Sequence, residues 1–452
     1  MNNFERLSTL IKKEDIKNIA LFSITVKGKI HMLTLPSKMF SKDIIENGVG
    51  FDASSYGFSP AENSDMVLMP DLNNYFIDPF RETKTINFLT TVHHADKDRT
   101  RYEGDPRYIA EKAEKILKKH KIAEYSLWGP EYEFFIFNDI NFSAEDGNSY
   151  IEIDSLEHSE FKSYHIAPPR DTYYWFRDEV VSTMESLGIE VKYHHHEVGI
   201  WGQQEIETKF ETLLKAADNA VIIKYIIKNL AELNGLKITF MPKPLRSQAG
   251  NGWHVHQFLM KGEKNAFYQK GKYGNLNDAG LYYIGGILNH INSLIAITNP
   301  STNSFKRLVS GFEAPTGINF GVGNRNSAIR IPGYVNNPLF TRIEFRTSDA
   351  TANPYLSLSA MLMAGIDGII NRINPIKKGY GPAEPSVRKK FKEIETDPFK
   401  VLENLKKDND YLLRDDVFEK ALIEKFLKEK YSEYIKLSSY PNPIEFSYYF
   451  DL

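Results

Sequence analysis

Two periods of hydrophobic residues alternate along this chain. Apolar positions at helical spacing predict a short helix over residues 3–13. "IALFSITVKGKIHMLTLP" (19–36) reads as two strands turned at Lys27-Gly28, and "INFLTTVHH" (86–94) as another strand. "YEGDPR" (102–107) is a turn cluster ahead of an amphipathic helix, "YIAEKAEKILKKH" (108–120). These elements predict a small sheet-rich unit over residues 1–100 and a larger one from 104 to 452.

In the larger unit strands and helices alternate. Strands are predicted at 125–137, 189–198 and 236–244, and helices at 171–188 and, as one long element, 206–235. After Leu356 the pattern is mostly helical, and "NPIKKGYGPAEP" (374–385) is an exposed Pro/Gly/Lys connector. No internal repeat or low-complexity tract interrupts the chain.

Several strands carry charge where a period of two gathers it on one face. In "TRIEFRTSD" the residues Arg342, Glu344 and Arg346 alternate with Ile343 and Phe345. Glu131 and Glu133 share a face in "GPEYEFF", as do His254 and His256 in "GWHVHQF". Glu197 closes the strand ending "HHHEV" and Glu205 follows eight residues later; Arg307 with Glu313, and Arg325 with Arg330, lie in similar Gly- and Asn-rich settings. A solvated strand face accounts for any one of these motifs. If the faces are enclosed, their charges must pair or bind ions.

The bulk composition narrows the chemistry. The 56 basic and 59 acidic residues leave no basic excess, which argues against nucleic acid as a partner. The absence of Cys excludes disulfides, thiolate nucleophiles and thiolate metal sites. The charged start and the lack of a long apolar run predict a cytoplasmic protein without a membrane span. Carboxylate and imidazole donors suit Mg²⁺ or Mn²⁺, and several Arg suit phosphate and carboxylate oxygens. Divalent metals with Arg clamps are what phosphoryl transfer requires. The chain has neither a GxxxxGK[ST] loop nor the HRD and DFG motifs of kinases.

The order and spacing of "GFDASS", "YEGDPR", "GPEYEFF", "HHHEV" with "GQQEIE", "GNGWHVH", "KRLVSGFEAP", "NRNSAIRIP", "RIEFRTSDATANPYL" and "PNPIEFSYYFDL" resemble the type I glutamine synthetase family nearly end to end. The resemblance implies an α+β protein: an N-terminal β-grasp domain and a large glutamine synthetase/guanido kinase-like catalytic domain with an antiparallel sheet lining the active site. It implies a homododecamer of two hexameric rings with active sites between subunits. By motif match, Glu133, Glu197 and Glu205 hold one divalent metal, and Glu131, His254 and Glu344 another, with two to three per site. His256, Arg325, Arg330 and Arg342 face ATP. Gly250, Arg307, Glu313 and Arg346 hold glutamate, Glu313 from a closing flap. Asp52, Ser55, Tyr164 and Glu197 form the ammonium pocket, Asp52 coming from the neighbouring subunit.

The implied reaction is ligation of ammonia to the γ-carboxylate of glutamate through γ-glutamyl phosphate, giving glutamine, ADP and phosphate. Asp52, Glu313 and Arg325 are its expected catalytic residues, with Asp52 taking the ammonium proton. Some positions depart from the family pattern: Ala53 and Ala249 replace Gly and Asn, Phe258 replaces a nucleotide-contacting Ser, and Trp201 replaces a small residue. "FGVGNR" lacks the usual Ser-Ala-Arg, Pro60 stands where a subgroup has a feedback-linked Arg, and "GPAEPSVRKK" lacks the Tyr-bearing adenylylation segment. A γ-glutamyl-amine or polyamine ligase on the same fold is the first alternative. A non-catalytic structural or regulatory oligomer is the second.

Overall fold

The computed structural model describes residues 2–157, 163–384 and 390–449. Near the N-terminus, β1 (Asn18–Ile24), β2 (Ile30–Pro36), β3 (Val49–Asp52), β4 (Asp65–Ile77) and β5 (Thr85–His94) form a sheet in the order β2-β1-β5-β4-β3. All its pairings are antiparallel except β1 with β5. Helix Asn3–Lys13 caps one side, its start closed by a reciprocal Asn2–Glu5 capping box.

The near-continuous apolar run of β1 follows from burial on both faces. Ile19 and Leu21 enter a small core with Leu7 and Phe88, whereas Ala20, Phe22 and Ile24 enter the main core of the molecule. Polar contacts reinforce this junction. The Asn353 side chain caps helix Pro354–Ile370 and donates to the Thr25 carbonyl at 3.0 Å. Gly28 turns beside it with φ +75°, and a Cβ there would meet the Asn353 Cα at 3.3 Å.

The second sheet contains β6 (Tyr125–Phe137), β9 (Val191–His196), β10 (Gln203–Thr208), β11 (Lys237–Thr239), β12 (Val255–Lys261), β13 (Lys264–Asn265), β14 (Gly317–Val322), β15 (Ser327–Ile331) and β16 (Ile343–Phe345). Its main order is β14-β15-β16-β12-β6-β10-β9, with β11 on β6 and β13 on β12. Separately, β7 (Asp139–Glu145) and β8 (Asn148–Asp154) form an exposed hairpin. The large sheet is antiparallel, as expected of the sheet lining the site, except for the parallel β14–β15 pair at one end.

Period two sorts its strands. On β6, Trp128, Tyr132, Phe134 and Ile136 enter the main core, while Glu131 and Glu133 alternate with them. Ile206 on β10 and Ile343 and Phe345 on β16 do the same between their own charged neighbours. The core is completed by helices Pro106–Lys119, Leu213–Leu233 and Pro354–Ile370, which pack on one another.

Two predicted elements change. The helix expected over 206–235 starts at Leu213, because Gln203–Thr208 pairs with β6 as a strand. The strand expected over 236–244 stops at Thr239; Pro242 and Pro244 follow closely and cannot donate to a ladder. The connector is helix-free through Glu384 apart from turns, and the rest of "GPAEPSVRKK" up to Lys389 lies outside the described residues. Among the described residues, no helix is long and apolar enough to cross a membrane.

Candidate functional site

The charged strand faces converge on one buried cavity lined by Glu131, Glu133, Glu197, Glu205, Glu207 and His254, with Arg307, Arg325, Arg330 and Arg346 on its wall. Register explains the convergence. Glu205 lies opposite Glu133 and Glu207 opposite Glu131 on β10 and β6. His256 on β12 is opposite Glu344 on β16, which in turn is opposite Arg330 on β15. Arg330 and Arg346 both donate to Glu344, which is 1% exposed.

Hydrogen bonds define the imidazole protons. Arg342 Nε donates to His256 Nδ1 at 3.3 Å, leaving Nε2–H to donate to Glu131 at 2.8 Å. Arg307 donates to His254 Nε2 at 3.1 Å, so His254 Nδ1–H meets Glu131 at 3.0 Å. Both rings thereby donate to one carboxylate. Burial alone would raise Glu131, but these two imidazoles outweigh it and hold the carboxyl well below its usual range. Glu344 is likewise raised by burial and brought down to about 2 by Arg346, His256 and Arg330.

On the opposite side of the cavity burial prevails, although Lys192 donates to Glu207 at 2.5 Å. Burial and the charges of Glu131, Glu197 and Glu133 push Glu205 well above the usual carboxylate range. Burial also raises Glu197 and Glu133, and lifts Glu207 to about 7 beside Glu131. Four enclosed carboxylates opposing one another fit oxygen-seeking divalent cations such as Mg²⁺ or Mn²⁺. Among the described residues, the ligand atoms that approach closely enough fall into three sets: Glu131 with His254 and Glu344, His195 with Glu197 and Glu205, and Glu131 with Glu207 and His256. The first coincides with an expected set. The second holds His195 where Glu133 was expected. Glu133 instead accepts from the Gly252 N–H at 2.8 Å and from Gln203 at 3.2 Å.

The loops supply the rest of the wall. Gly250 is wedged so tightly that a Cβ would lie 2.2 Å from the Pro242 carbonyl oxygen. Glu313 holds a left-handed φ of 58° at the cavity rim, a conformation that costs a non-glycine residue of order 1 kcal/mol. The terminal nitrogens of Arg307 donate to the carbonyls of Thr347, Ser348 and Arg346 as well as to His254. Tyr164 lines the cavity, and Arg342 reaches it through His256 and Tyr334. Asp52 and Ser55 are not among the lining residues of their own chain. Asp52 accepts from the Ser54 and Ser55 hydroxyls, which pull its carboxyl down to about 2.

Of the departures, Ala249 lines the cavity, whereas Phe258 is 1% exposed and packs edge-on against Phe210, with ring centroids 5.0 Å apart. Trp201 sits half-buried in the turn between β9 and β10. Glu207 and His195 escaped the sequence reading. The spacing of Glu205 and Glu207 repeats that of Glu131 and Glu133, but assigning residue 206 to a helix hid it. His195 had no signal beyond its place in a three-His run.

With this geometry in view, known proteins supply context. The family pattern "Glutamine synthetase, catalytic domain" matches residues 103–449, and "Glutamine synthetase, beta-Grasp domain" matches residues 15–95. The chain belongs to the glutamine synthetase family, whose class is that of ATP-dependent ligases. It is 40% identical to a glutamine synthetase of Streptomyces coelicolor, over 100% of this chain and 99% of that one. It is 39% identical to a 3-hydroxylaminophenol mutase of Cupriavidus pinatubonensis, over 98% of each. Among solved structures it resembles Plasmodium falciparum glutamine synthetase with a TM-score of 0.90 at 26% identity, over 99% of both chains. It also resembles apo GmaS with a TM-score of 0.82 at 25% identity, again over 99% of both.

Proposed function

We propose that this chain is a cytoplasmic glutamate–ammonia ligase. It consumes ATP, L-glutamate and ammonium and releases glutamine, ADP and phosphate. The observation that carries this reading is the polarity of the cavity: opposed buried carboxylates on β6 and β10, and Glu344 clasped by Arg330 and Arg346. A carboxylate becomes a substrate for nitrogen attack only after its oxygen is made a leaving group, and this polarity serves that transfer.

Bound Mg²⁺ or Mn²⁺, held by Glu133, Glu197 and Glu205 on one side and Glu131, His254 and Glu344 on the other, would supply charge neutralisation for the phosphoryl group. His195 and Glu207 are placed to join these ligands. Arg325, Arg330 and Arg342, with His256, hold the ATP phosphates. Gly250, Arg307 and Arg346 position glutamate, Arg307 also bracing the loop that follows β16. Asp52, Ser55, Tyr164 and Glu197 bind ammonium. A carboxylate lowered to about 2 favours holding that cation in an exposed pocket. For Asp52 to take its proton, subunit packing must remove water from this carboxylate and raise its pKa. Glu313 and its flap exclude water from the γ-glutamyl phosphate.

The reading includes units at residues 1–100 and 104–452 and a homododecamer in which one chain's Asp52 completes the next chain's site. The absence of Asp52 from its own chain's cavity supports that arrangement. Ala249 at the cavity wall favours a second reading, a γ-glutamyl-amine ligase, because a shorter side chain leaves space for a larger nitrogen donor. Phosphate release from Mg-ATP and glutamate should be compared with ammonium, methylamine, ethanolamine and putrescine, with the product identified. Ammonium preference with glutamine formed supports the first reading; preference for an amine supports the second.

A further inference from the structure

Lys243 lies just behind the cavity wall and touches three segments that shape it. Its backbone is clamped to helix Thr302–Arg307: the Lys243 N–H donates to Asn303 Oδ1 at 2.7 Å, and Asn303 Nδ2 donates to the Lys243 carbonyl at 3.1 Å. That helix ends in Arg307. Its ammonium donates to the Gln248 carbonyl, next to Ala249 and Gly250 on the cavity wall. The same ammonium sits 3.5 Å from the centroid of the Phe312 ring, immediately before Glu313. Phe312 and Glu313 both line the cavity.

The charge of Lys243 has no carboxylate within ion-pair range among the described residues; its nearest charged influence is the like-charged Arg307. Burial, aided by Arg307, brings its amine down to about 8, so it remains largely charged at neutral pH. A cation in such surroundings is best satisfied by the negative face of an aromatic ring and by a carbonyl dipole, which are the two groups it touches. Leu308 anchors the start of the segment it grips in the main core, and the residues after it are exposed or half-buried. Gly311 and Glu313 are exposed, and both adopt left-handed backbone angles, φ 92° and 58°.

We infer that Lys243 is a positioning residue that latches the 308–313 flap to the 248–250 loop, holding Glu313 over the cavity. It acts through Phe312 and does not touch the reacting atoms. The catalytic consequence rests on the ligase reading above; the mechanical one does not. A closed flap retains the acyl phosphate for nitrogen attack, while a loose flap admits water, which attacks the acyl carbon. That attack releases phosphate and regenerates glutamate with no amide formed.

The test compares Lys243→Met, Lys243→Arg and Phe312→Leu with the parent protein. Hydrogen–deuterium exchange of the 308–313 amides reads the latch without reference to activity. The charge–ring contact at this half-buried position predicts roughly tenfold faster exchange in Lys243→Met and in Phe312→Leu. Lys243→Arg should restore slow exchange. In steady state the first two variants should release several phosphates per amide formed and raise KM for glutamate more than they lower the rate of phosphate release. Unchanged exchange in both variants overturns the latch. If the parent forms no amide with any nitrogen donor, the ligase reading fails while the exchange result still decides the latch. Phe312→Leu lies on the exposed flap, so the test survives if Lys243→Met does not fold.

Discussion

Glu205 faces Glu133 directly across two antiparallel strands, in a cavity where, among the described residues, neither carboxylate has a cationic side chain within ion-pair distance other than the largely neutral imidazoles His195 and His254. Like charges opposite one another oppose strand pairing, and burial strengthens the effect. Burial and its neighbouring carboxylates make the charged form of Glu205 costly, a cost that a divalent cation relieves. Mg²⁺ or Mn²⁺ should raise the melting temperature, with about 2.7 kcal/mol of stabilisation at roughly a hundredfold excess over Kd. Chelation should reverse the gain. Glu205→Gln should melt higher than the parent without metal and respond less to its addition, as read by differential scanning calorimetry.

The junction between the two sheets has an electrostatic centre. Arg107 donates to both oxygens of Asp218, at 3.0 and 2.9 Å, and to Asp71 on β4 at 2.9 Å. Tyr355 donates to Asp218 at 2.7 Å. Arg107→Met would leave Asp218, 1% exposed, as a buried charge without its guanidinium. The expected loss is about 3–5 kcal/mol. Thermal unfolding of Arg107→Met and of the paired Arg107→Met/Asp218→Asn variant measures it, the pair recovering part of the loss.

Asp52 and Glu205 belong to different sites if the cavity is completed by a neighbouring chain. Asp52→Ala alone and Glu205→Gln alone should each lower turnover at least a hundredfold, with ATP binding retained in Asp52→Ala. Co-refolded at equal amounts, the two variants should recover about a quarter of parent activity, because that share of sites receives both intact halves. Activity no higher than that of the separate variants would place both residues in one chain's site.

His290 provides a pH test away from the cavity. Burial lowers its pKa, but hydrogen bonds to Asp367 at 3.0 Å and Asp408 at 2.9 Å outweigh burial and raise it to about 9. A folded-state pKa above the unfolded 6.5 means that this stabilisation is complete below pH 6.5. It is lost as pH rises to about 9. The amount is at most about 3 kcal/mol, reduced by the partial exposure of Asp408. The melting temperature should fall across that interval, and His290→Gln should flatten the fall.

The sequence made most individual elements legible. The strand at Tyr125–Phe137 and the helix at Asn3–Lys13 occur where their periods place them: the helix buries one apolar face, and alternation on the strand separates side chains of the main core from Glu131 and Glu133. Residues 206–208 fit either period in "EIET", and pairing with β6 makes them a strand. Glu207 disappeared from view for the same reason. His195 and Lys243 gave no local sign, since their meaning lies in contacts with residues distant along the chain.

By itself, the sequence determined that one face of several strands would carry charge and that no thiol chemistry was open to this protein. It also presented, through ordered motifs, the glutamine synthetase family. Tertiary structure alone decided which charges meet: that Glu205 opposes Glu133, that Arg330 and Arg346 share Glu344, and that Lys243 reaches Phe312. Periodicity specifies the side of a strand on which a residue stands. Register and loop path specify its neighbour, and electrostatic function at a few ångströms depends on the neighbour.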